Sequence, residues 1–312
     1  MAIPPNTEYK GRFAPSPSGL LHFGSLVCAV ASYLDAKANH GKWLIRIEDI
    51  DTQRCRPELH SVIIDSLASH GLLSDEVILT QSLELDRYEN ALEQLSKRNL
   101  IYACDCSRKQ IKSRSPHYDG YCSARNLSFT QGRALRLNNK NTYEHFVDRI
   151  LGPCYIENSM NIEDIILKRT DHCFAYNLVV VLDDIYQGIS HVVRGADLLE
   201  TTTLQMYLHR IFDAPLLQYA HIPVASTKPG FKLSKQNHAK EIDPKKALNN
   251  LVSALIYLGF SHEQLKAFEK IETLLCFAID QWRINLVAKE REFIISGAND
   301  VYSDFISESL AN

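Results

Sequence analysis

The chain is 312 residues long, 45% hydrophobic and 23% charged, an ordinary globular composition with room for one sizeable core and a smaller companion domain. Its net charge of −3 excludes a global basic field for nucleic acid, so such a partner has to be met by a local patch. The start MAIPPNTEYK has no apolar signal core and the densest apolar run, LVVVL at 178 to 182, is far too short to span a bilayer, so a cytoplasmic protein with no membrane role is expected. In that compartment the eight cysteines (28, 55, 104, 106, 122, 154, 173 and 276) are thiols rather than a disulfide framework.

The first half alternates strand and helix patterns. YKGRFAP reads as a strand running into the Pro/Ser/Gly turn SPSGLLHFG. From Ser25 the residues Leu26, Val27, Val30, Ala31 and Leu34 share one helical face, with Gly41 where a helix C-terminus favours it. KWLIRIED is a strand ending in carboxylates, and PELHSVIIDSLASHG is a helix with proline in its first turn and glycine past its last. LDRYENALEQLSKRN is a helix with a charged outer face, and LIYACDC is a strand entering an irregular basic segment. Strands follow at ALRL, DIILKR and ISHVVRG, then a helix at LLETTTLQMYLHRIF and a strand near LQYAHIPV. After residue 240 the segments DPKKALNNLVSALIYLGF, SHEQLKAFEKI and DQWRINLVAKEREFI are all read as helices. This βαβ rhythm with short connections predicts an α/β fold built on a parallel sheet covered by helices.

Two stretches carry phosphate chemistry. In RFAPSPSGLLHFGS, residues 12 to 25, a strand ends in a Gly-bearing turn and His22, Gly24 and Ser25 open a helix, where close backbone approach and the helix N-terminus suit phosphate oxygens. The plain alternative is a helix entry with Ser25 as N-cap and an incidental His22. In GFKLSKQ, Lys232 and Lys235 flank a serine and can stabilise charge building on a departing pyrophosphate; alone, the stretch would be a solvated basic loop.

In this order, HFGS at 22 to 25 and KLSKQ at 232 to 236 resemble the HIGH and KMSKS signatures of class I aminoacyl-tRNA synthetases. GRFAPSPSGLLHFGS, LIRIEDIDTQR and ILKRTDHCFAYNLVVVLDDIYQGISHVVRGADLL are similar to the glutamate and glutamine branch, the likeness covering roughly residues 9 to 240. The resemblance implies a Rossmann-like catalytic domain in two halves, 1–100 and 161–240, around an insertion at 101–160, with a short helical domain at 241–312 and no anticodon-binding domain. It implies a glutamate pocket at Arg12, Phe13, Ala14, Pro15, Ser16, Glu48, Tyr176 and Arg194. Chemistry agrees, since glutamate has two carboxylates for guanidinium forks, here Arg12 and Arg194, and one ammonium for a carboxylate, here Glu48. ATP falls to His22, Gly24, Ser25, Lys232 and Lys235, with Lys235, His22 and Lys232 as the catalytic set and magnesium accompanying the nucleotide. Ser25 departs from the signature's second histidine and brings no positive charge, which shifts weight onto His22 and the lysines.

Cys104, Cys106 and Cys122 have the spacing of a tetrahedral zinc set lacking one ligand, and general zinc chemistry would supply His117. A truncated bacterial branch of the family carries Cys-x-Cys and Tyr-x-x-x-Cys instead; YDGYC matches the second half, which implies Tyr118 as fourth ligand of one structural Zn²⁺. Between 107 and 126, Arg108, Lys109, Lys112, Arg114 and Arg125 against Asp119 offer a basic patch for phosphate contact, with Tyr118 and Tyr121 as stacking surfaces; a solvated loop is the plain alternative. That branch activates L-glutamate with ATP without tRNA and transfers it to the queuosine base at the wobble position of tRNA(Asp), and the resemblance implies the same reaction here, by a monomer. The alternatives are a short glutamyl-tRNA synthetase charging the 3′ end, or a non-catalytic nucleotide- or tRNA-binding regulator.

Overall fold

The protein is described from a computed structural model over residues 8–140, 143–156, 163–233 and 240–295. β1 (Lys10–Phe13) leads through the Pro/Gly turn to α1 (Phe23–Ala38), followed by β2 (Lys42–Ile47), α2 (Leu59–Ser69) and the short β3 (Leu79–Thr80). β1 and β2 are parallel, with Arg12 opposite Leu44, and β3 adds in parallel beyond β2. α1 is buried on almost every side: Leu26, Ala29, Val30, Ala31 and Leu34 have no accessible surface. It lies between the sheet and the C-terminal helices, so a near-uniformly apolar sequence is what this position demands. The turn into β2 depends on Gly41, where a Cβ would come 2.3 Å from the Tyr9 carbonyl oxygen; the helix itself ends earlier, with Asn39 as C-cap.

α3 (Leu85–Lys97) precedes β4 (Ile101–Cys104) and α4 (Arg108–Arg114), which is closed by a Ser107–Gln110 capping box. β5 (Ala134–Leu137) pairs antiparallel with β4 and with β8 (Ile166–Lys168), while β6 (His145–Asp148) and β7 (Gly152–Tyr155) form a hairpin that carried no signal in the sequence reading. α5 (Tyr176–Gln187) contains the LVVVL run and packs on α3. It ends at Gly188 in the left-handed conformation.

β9 (His191–Gly195) lies beside β1, joined where Ser190 N–H donates to the Lys10 carbonyl at 2.9 Å. A 3₁₀ turn, Ala196–Thr201, enters α6 (Thr202–Ile211), and β10 (Gln218–Ile222) pairs in parallel with β9. The order across the layer is therefore β3, β2, β1, β9, β10, and the order reverses between β1 and β9, a switch point of the kind that opens a crevice at the strand ends.

β11 (Val224–Lys228) and β12 (Phe231–Lys232) form the hairpin that delivers the lysine loop. α7 (Ala247–Tyr257) packs on α1, the single-turn α8 (His262–Leu265) follows, and α9 (Ile271–Gln281) closes over α1 and α7. Here the structure corrects the sequence reading. In DQWRINLVAKEREFI only Asp280 and Gln281 are helical, as the end of α9; beyond them Ile284–Leu286 is one 3₁₀ turn and β13 (Glu292–Ile294) pairs in parallel with β11. Pairing with an available sheet edge overrides the local pattern. Glu292 also accepts from the Gly230 N–H at 3.0 Å, at a turn residue with φ of 74°, so the C-terminal segment braces the lysine hairpin. Among the described residues no helix is long and apolar enough to cross a membrane.

Candidate active site

The crevice at the switch point is a cavity of about 650 Å³. Arg12, Phe13, Ala14, Pro15 and Ser16 line it from the end of β1, and His22, Gly24 and Ser25 from the start of α1. Glu48, Tyr176 and Arg194 form the facing wall, and Lys232 and Leu233 reach its rim. Every expected pocket and nucleotide residue among those described thus opens onto one space; Lys235 lies outside the described residues.

The helix opening is built differently from the plain alternative. His22, not Ser25, is the N-cap, with extended backbone (φ −112°, ψ 173°) and its ring Nδ1 accepting the Ser25 N–H at 3.3 Å. α1 therefore begins two residues before Ser25. An Nδ1 that accepts leaves the neutral ring's proton on Nε2, fixing the tautomer. Glu241 bridges back across His22, and Ile242 N–H donates to Leu21 O at 3.0 Å, so the chain beyond residues 234–239 returns to the helix opening. Lys232 Nζ lies 2.7 Å from Asp197 Oδ2 on the opposite wall.

Beneath the cavity is a buried charge lattice. Arg12 gives Nε and Nη2 to Asp184 at 3.1 and 3.3 Å. Arg46, with no accessible surface, gives Nη1 to Asp184 Oδ1 at 2.7 Å and to Gln187 Oε1 at 3.0 Å, and Nη2 to Glu48 Oε1 at 3.1 Å. Asp183 accepts from Gln81, Arg87 and the Tyr88 hydroxyl. Burial would raise the Asp184 pKa, but Arg12 and Arg46 outweigh it and hold the carboxyl well below its usual range. Burial wins at Glu48, whose pKa is raised against the pull of Arg46 and Arg12. Its arginine bonds both fall on Oε1, and Oε2 has no protein partner among the described residues.

Arg194 is 5% exposed and is held by neutral groups: Nε donates to His221 Nε2 at 3.0 Å, Nη1 to Gln205 Oε1 at 2.7 Å, and Nη2 to Thr202 Oγ1 at 2.8 Å. Sequence points to the arginines but not to the groups that hold them. One signal was available: Asp183 and Asp184 end an apolar helical run, and buried acids require partners.

Away from the cavity, the Cys104, Cys106 and Cys122 sulfurs lie within 4.8 Å of one another. Tyr118, 5% exposed, packs with Cys104 and Cys122, and its hydroxyl accepts the Cys122 N–H at 3.0 Å. His117 is half exposed and its Nδ1 lies 3.9 Å from Glu163. Arg114 and Arg125 each donate to a cluster sulfur, Cys106 and Cys122, at 3.5 and 3.4 Å. Both also sit over the exposed Tyr121 ring.

Comparison with known proteins agrees with this geometry. The family described as the class I tRNA synthetase (E and Q) catalytic domain matches residues 8–276. A glutamyl-Q tRNA(Asp) synthetase of Idiomarina loihiensis is 45% identical over 88% of this chain and 96% of its own length. One from Shewanella oneidensis is 43% identical over 95% of this chain and 97% of its own length. In fold, a glutamate tRNA ligase from Elizabethkingia meningosepticum superimposes with a TM-score of 0.77 at 21% identity, over 98% of this chain and 70% of that one. The chain belongs to the class I glutamate and glutamine tRNA synthetases and, within them, to the glutamyl-Q tRNA(Asp) synthetase family.

Proposed function

We propose that this protein activates L-glutamate with ATP and transfers the glutamyl group to the queuosine base at the wobble position of tRNA(Asp), a reading supported by relatives named glutamyl-Q tRNA(Asp) synthetase. The observation that carries the reading is the charge pattern of the cavity: two guanidinium groups, Arg12 and Arg194, and the carboxylate of Glu48 share one space with the His22 helix opening. Glutamate has the complementary pattern of two carboxylates and one ammonium. An ammonium beside Glu48 Oε2 would favour the ionised carboxylate that burial disfavours.

One glutamate carboxylate oxygen attacks the α-phosphorus of ATP, the bond to the β-phosphate oxygen breaks, and pyrophosphate carries away the electron pair. A nucleophile on the accepting base then attacks the acyl carbon and AMP leaves. The substrate supplies the first nucleophile, so the chain's work is alignment and charge stabilisation. His22 Nε2–H, Gly24 and Ser25 are assigned to the nucleotide, and Lys232 and Lys235 to the departing phosphates. Lys232 would exchange Asp197 for phosphate oxygen. Magnesium is assigned to the nucleotide.

Cys104, Cys106, Cys122 and Tyr118 are assigned to one zinc ion, which would act as a structural tie for the segment around 101–160. The three sulfurs are close enough to share an ion, Tyr118 is buried among them, and Arg114 and Arg125, each also paired with a carboxylate, Asp119 and Asp105, donate hydrogen bonds to two of the sulfurs. We read 1–100 and 161–240 as the catalytic halves, 241–312 as a bracing domain, and the working unit as a monomer in the cytoplasm.

The test is transfer of labelled glutamate to tRNA(Asp) with and without queuosine. Label is expected only on the modified tRNA, resistant to removal of the 3′ terminal nucleotides. Equal labelling of both, at the 3′ end, would instead assign a short glutamyl-tRNA synthetase.

A further inference from the structure

We propose that Asp148 and His221 form a relay behind Arg194 that fixes its guanidinium in the orientation that receives a glutamate carboxylate, making both of them positioning residues. The inference rests on the assignment of Arg194 to glutamate. Neither residue lines the cavity, so each acts through Arg194.

The fold places the three groups in line. Arg194 on β9 and His221 on β10 are register partners in a parallel pair, and the His221 side chain has no accessible surface. Asp148 arrives from the end of β6, 73 residues away, with Oδ2 2.6 Å from His221 Nδ1. Its other oxygen, Oδ1, accepts the backbone N–H groups of Ile150, Leu151 and His221 at 2.9, 3.0 and 3.2 Å. Four contacts leave this carboxylate no freedom to turn. Burial would raise its pKa, but the His221 hydrogen bond and those amides outweigh it and keep it ionised.

Proton positions follow. An ionised Asp148 only accepts, so His221 Nδ1 must carry a proton. Arg194 Nε only donates, so His221 Nε2 at 3.0 Å must be bare. The one ring form satisfying both is the neutral Nδ1–H tautomer, and burial, which drives the His221 pKa down to about 4, keeps the ring neutral near pH 7. Tyr219 stacks on the ring at 13° and Phe146 meets it edge-on, so rotation is blocked as well.

The arrangement keeps a negative charge near Arg194 without placing it on Arg194. With Nε, Nη1 and Nη2 each held by uncharged acceptors, the guanidinium plane is set while its positive charge stays available to an incoming carboxylate. A wrong tautomer would put an N–H against an N–H and turn the fork away.

The discriminating variant is Asp148→Asn. Its carbonyl can keep all three backbone bonds, while its NH₂ faces His221 Nδ1 and drives the ring to the Nε2–H form. In glutamate-dependent ATP/pyrophosphate exchange, the glutamate KM is expected to rise about tenfold or more, with the ATP KM within about twofold and melting temperature nearly kept. Ring ¹⁵N NMR of His221 should report the tautomer change. His221→Gln, which restores an acceptor near Nε2, should bind glutamate better than His221→Leu. An unchanged glutamate KM despite the switched tautomer would overturn the relay. So would parallel rises in both KM values that follow loss of melting temperature. Absence of glutamate-dependent exchange in the unsubstituted protein would instead sink the assignment of Arg194 to glutamate, and the relay with it.

Discussion

Arg12 and Arg194 reach one cavity from adjacent strands, yet the first rests on an anion and the second on neutral groups. Arg12 rests on Asp184, a carboxylate shared with the fully buried Arg46, whereas Arg194 rests on an imidazole, an amide and a hydroxyl. Around Arg12 the protein neutralises its own charge and the lattice is part of what holds β1, β2 and α5 together. Around Arg194 the direct partners are neutral and the compensating carboxylate, Asp148, is one ring away. A buried cation held by neutral groups is costly to leave without an anion, and that cost favours a bound carboxylate. The lattice around Arg12 serves the fold as well as the cavity wall, whereas the neutral partners of Arg194 leave its charge to the cavity alone.

The largest expected effect comes from breaking the Arg12 side. Asp184→Ala leaves Arg12 and Arg46 buried without their shared counter-ion and should cost about 3–5 kcal/mol of stability, readable as a lower urea midpoint. A loss under about 1 kcal/mol would mean the lattice is not structural.

Acidification should separate the two sides. His221 falls from an ordinary 6.5 to about 4 on folding because it is buried, so between those values the unfolded chain binds the extra proton and stability drops as pH falls. His221 alone should cost about 2 kcal/mol by pH 5, with His191, also lowered to about 4 by burial, adding in the same window. Asp184 is depressed, so its contribution is present above the ordinary carboxylate range and disappears only as pH falls below it. Urea midpoints at pH 7 and 5 that coincide would refute this separation.

The smallest effect is expected at His117, offered by sequence as an alternative ligand and set by the fold beside Glu163. His117→Ala should leave zinc content per chain unchanged and stability within about 0.5 kcal/mol, because the ring stands half exposed beside Glu163 rather than with the three sulfurs. Loss of zinc in that variant would return His117 to the ligand set in place of Tyr118.

Legibility followed chain distance. The cavity's floor was readable because Arg12 to Ser25 is one contiguous stretch whose turn, glycine and helix start constrain each other locally. Glu48 was readable as a carboxylate at a strand end. Asp184 was not, being 172 residues from Arg12 and hidden in a run whose apolar content speaks of a helix and not of a partner. Nor was the β6–β7 hairpin, which brings Asp148 under His221. At the C-terminus, residues 282–295 carry helix-compatible apolar spacing, yet β13 forms because β11 offers an unpaired edge and Trp282 donates to the buried Asp35 at 3.0 Å.

The sequence by itself determined the α/β alternation, the phosphate-suited opening at His22 and the three clustered thiols, because each depends on residues close in the chain; the pocket's arginines and carboxylate, spread from Arg12 to Arg194, were reached only through the family resemblance. Tertiary structure alone decided which charges neutralise one another, which tautomer His221 adopts and which way the chain turns after α9. Those depend on groups that meet only when distant strands pair, and in a buried site hydrogen-bond direction and desolvation are set by such neighbours rather than by the residue's own identity.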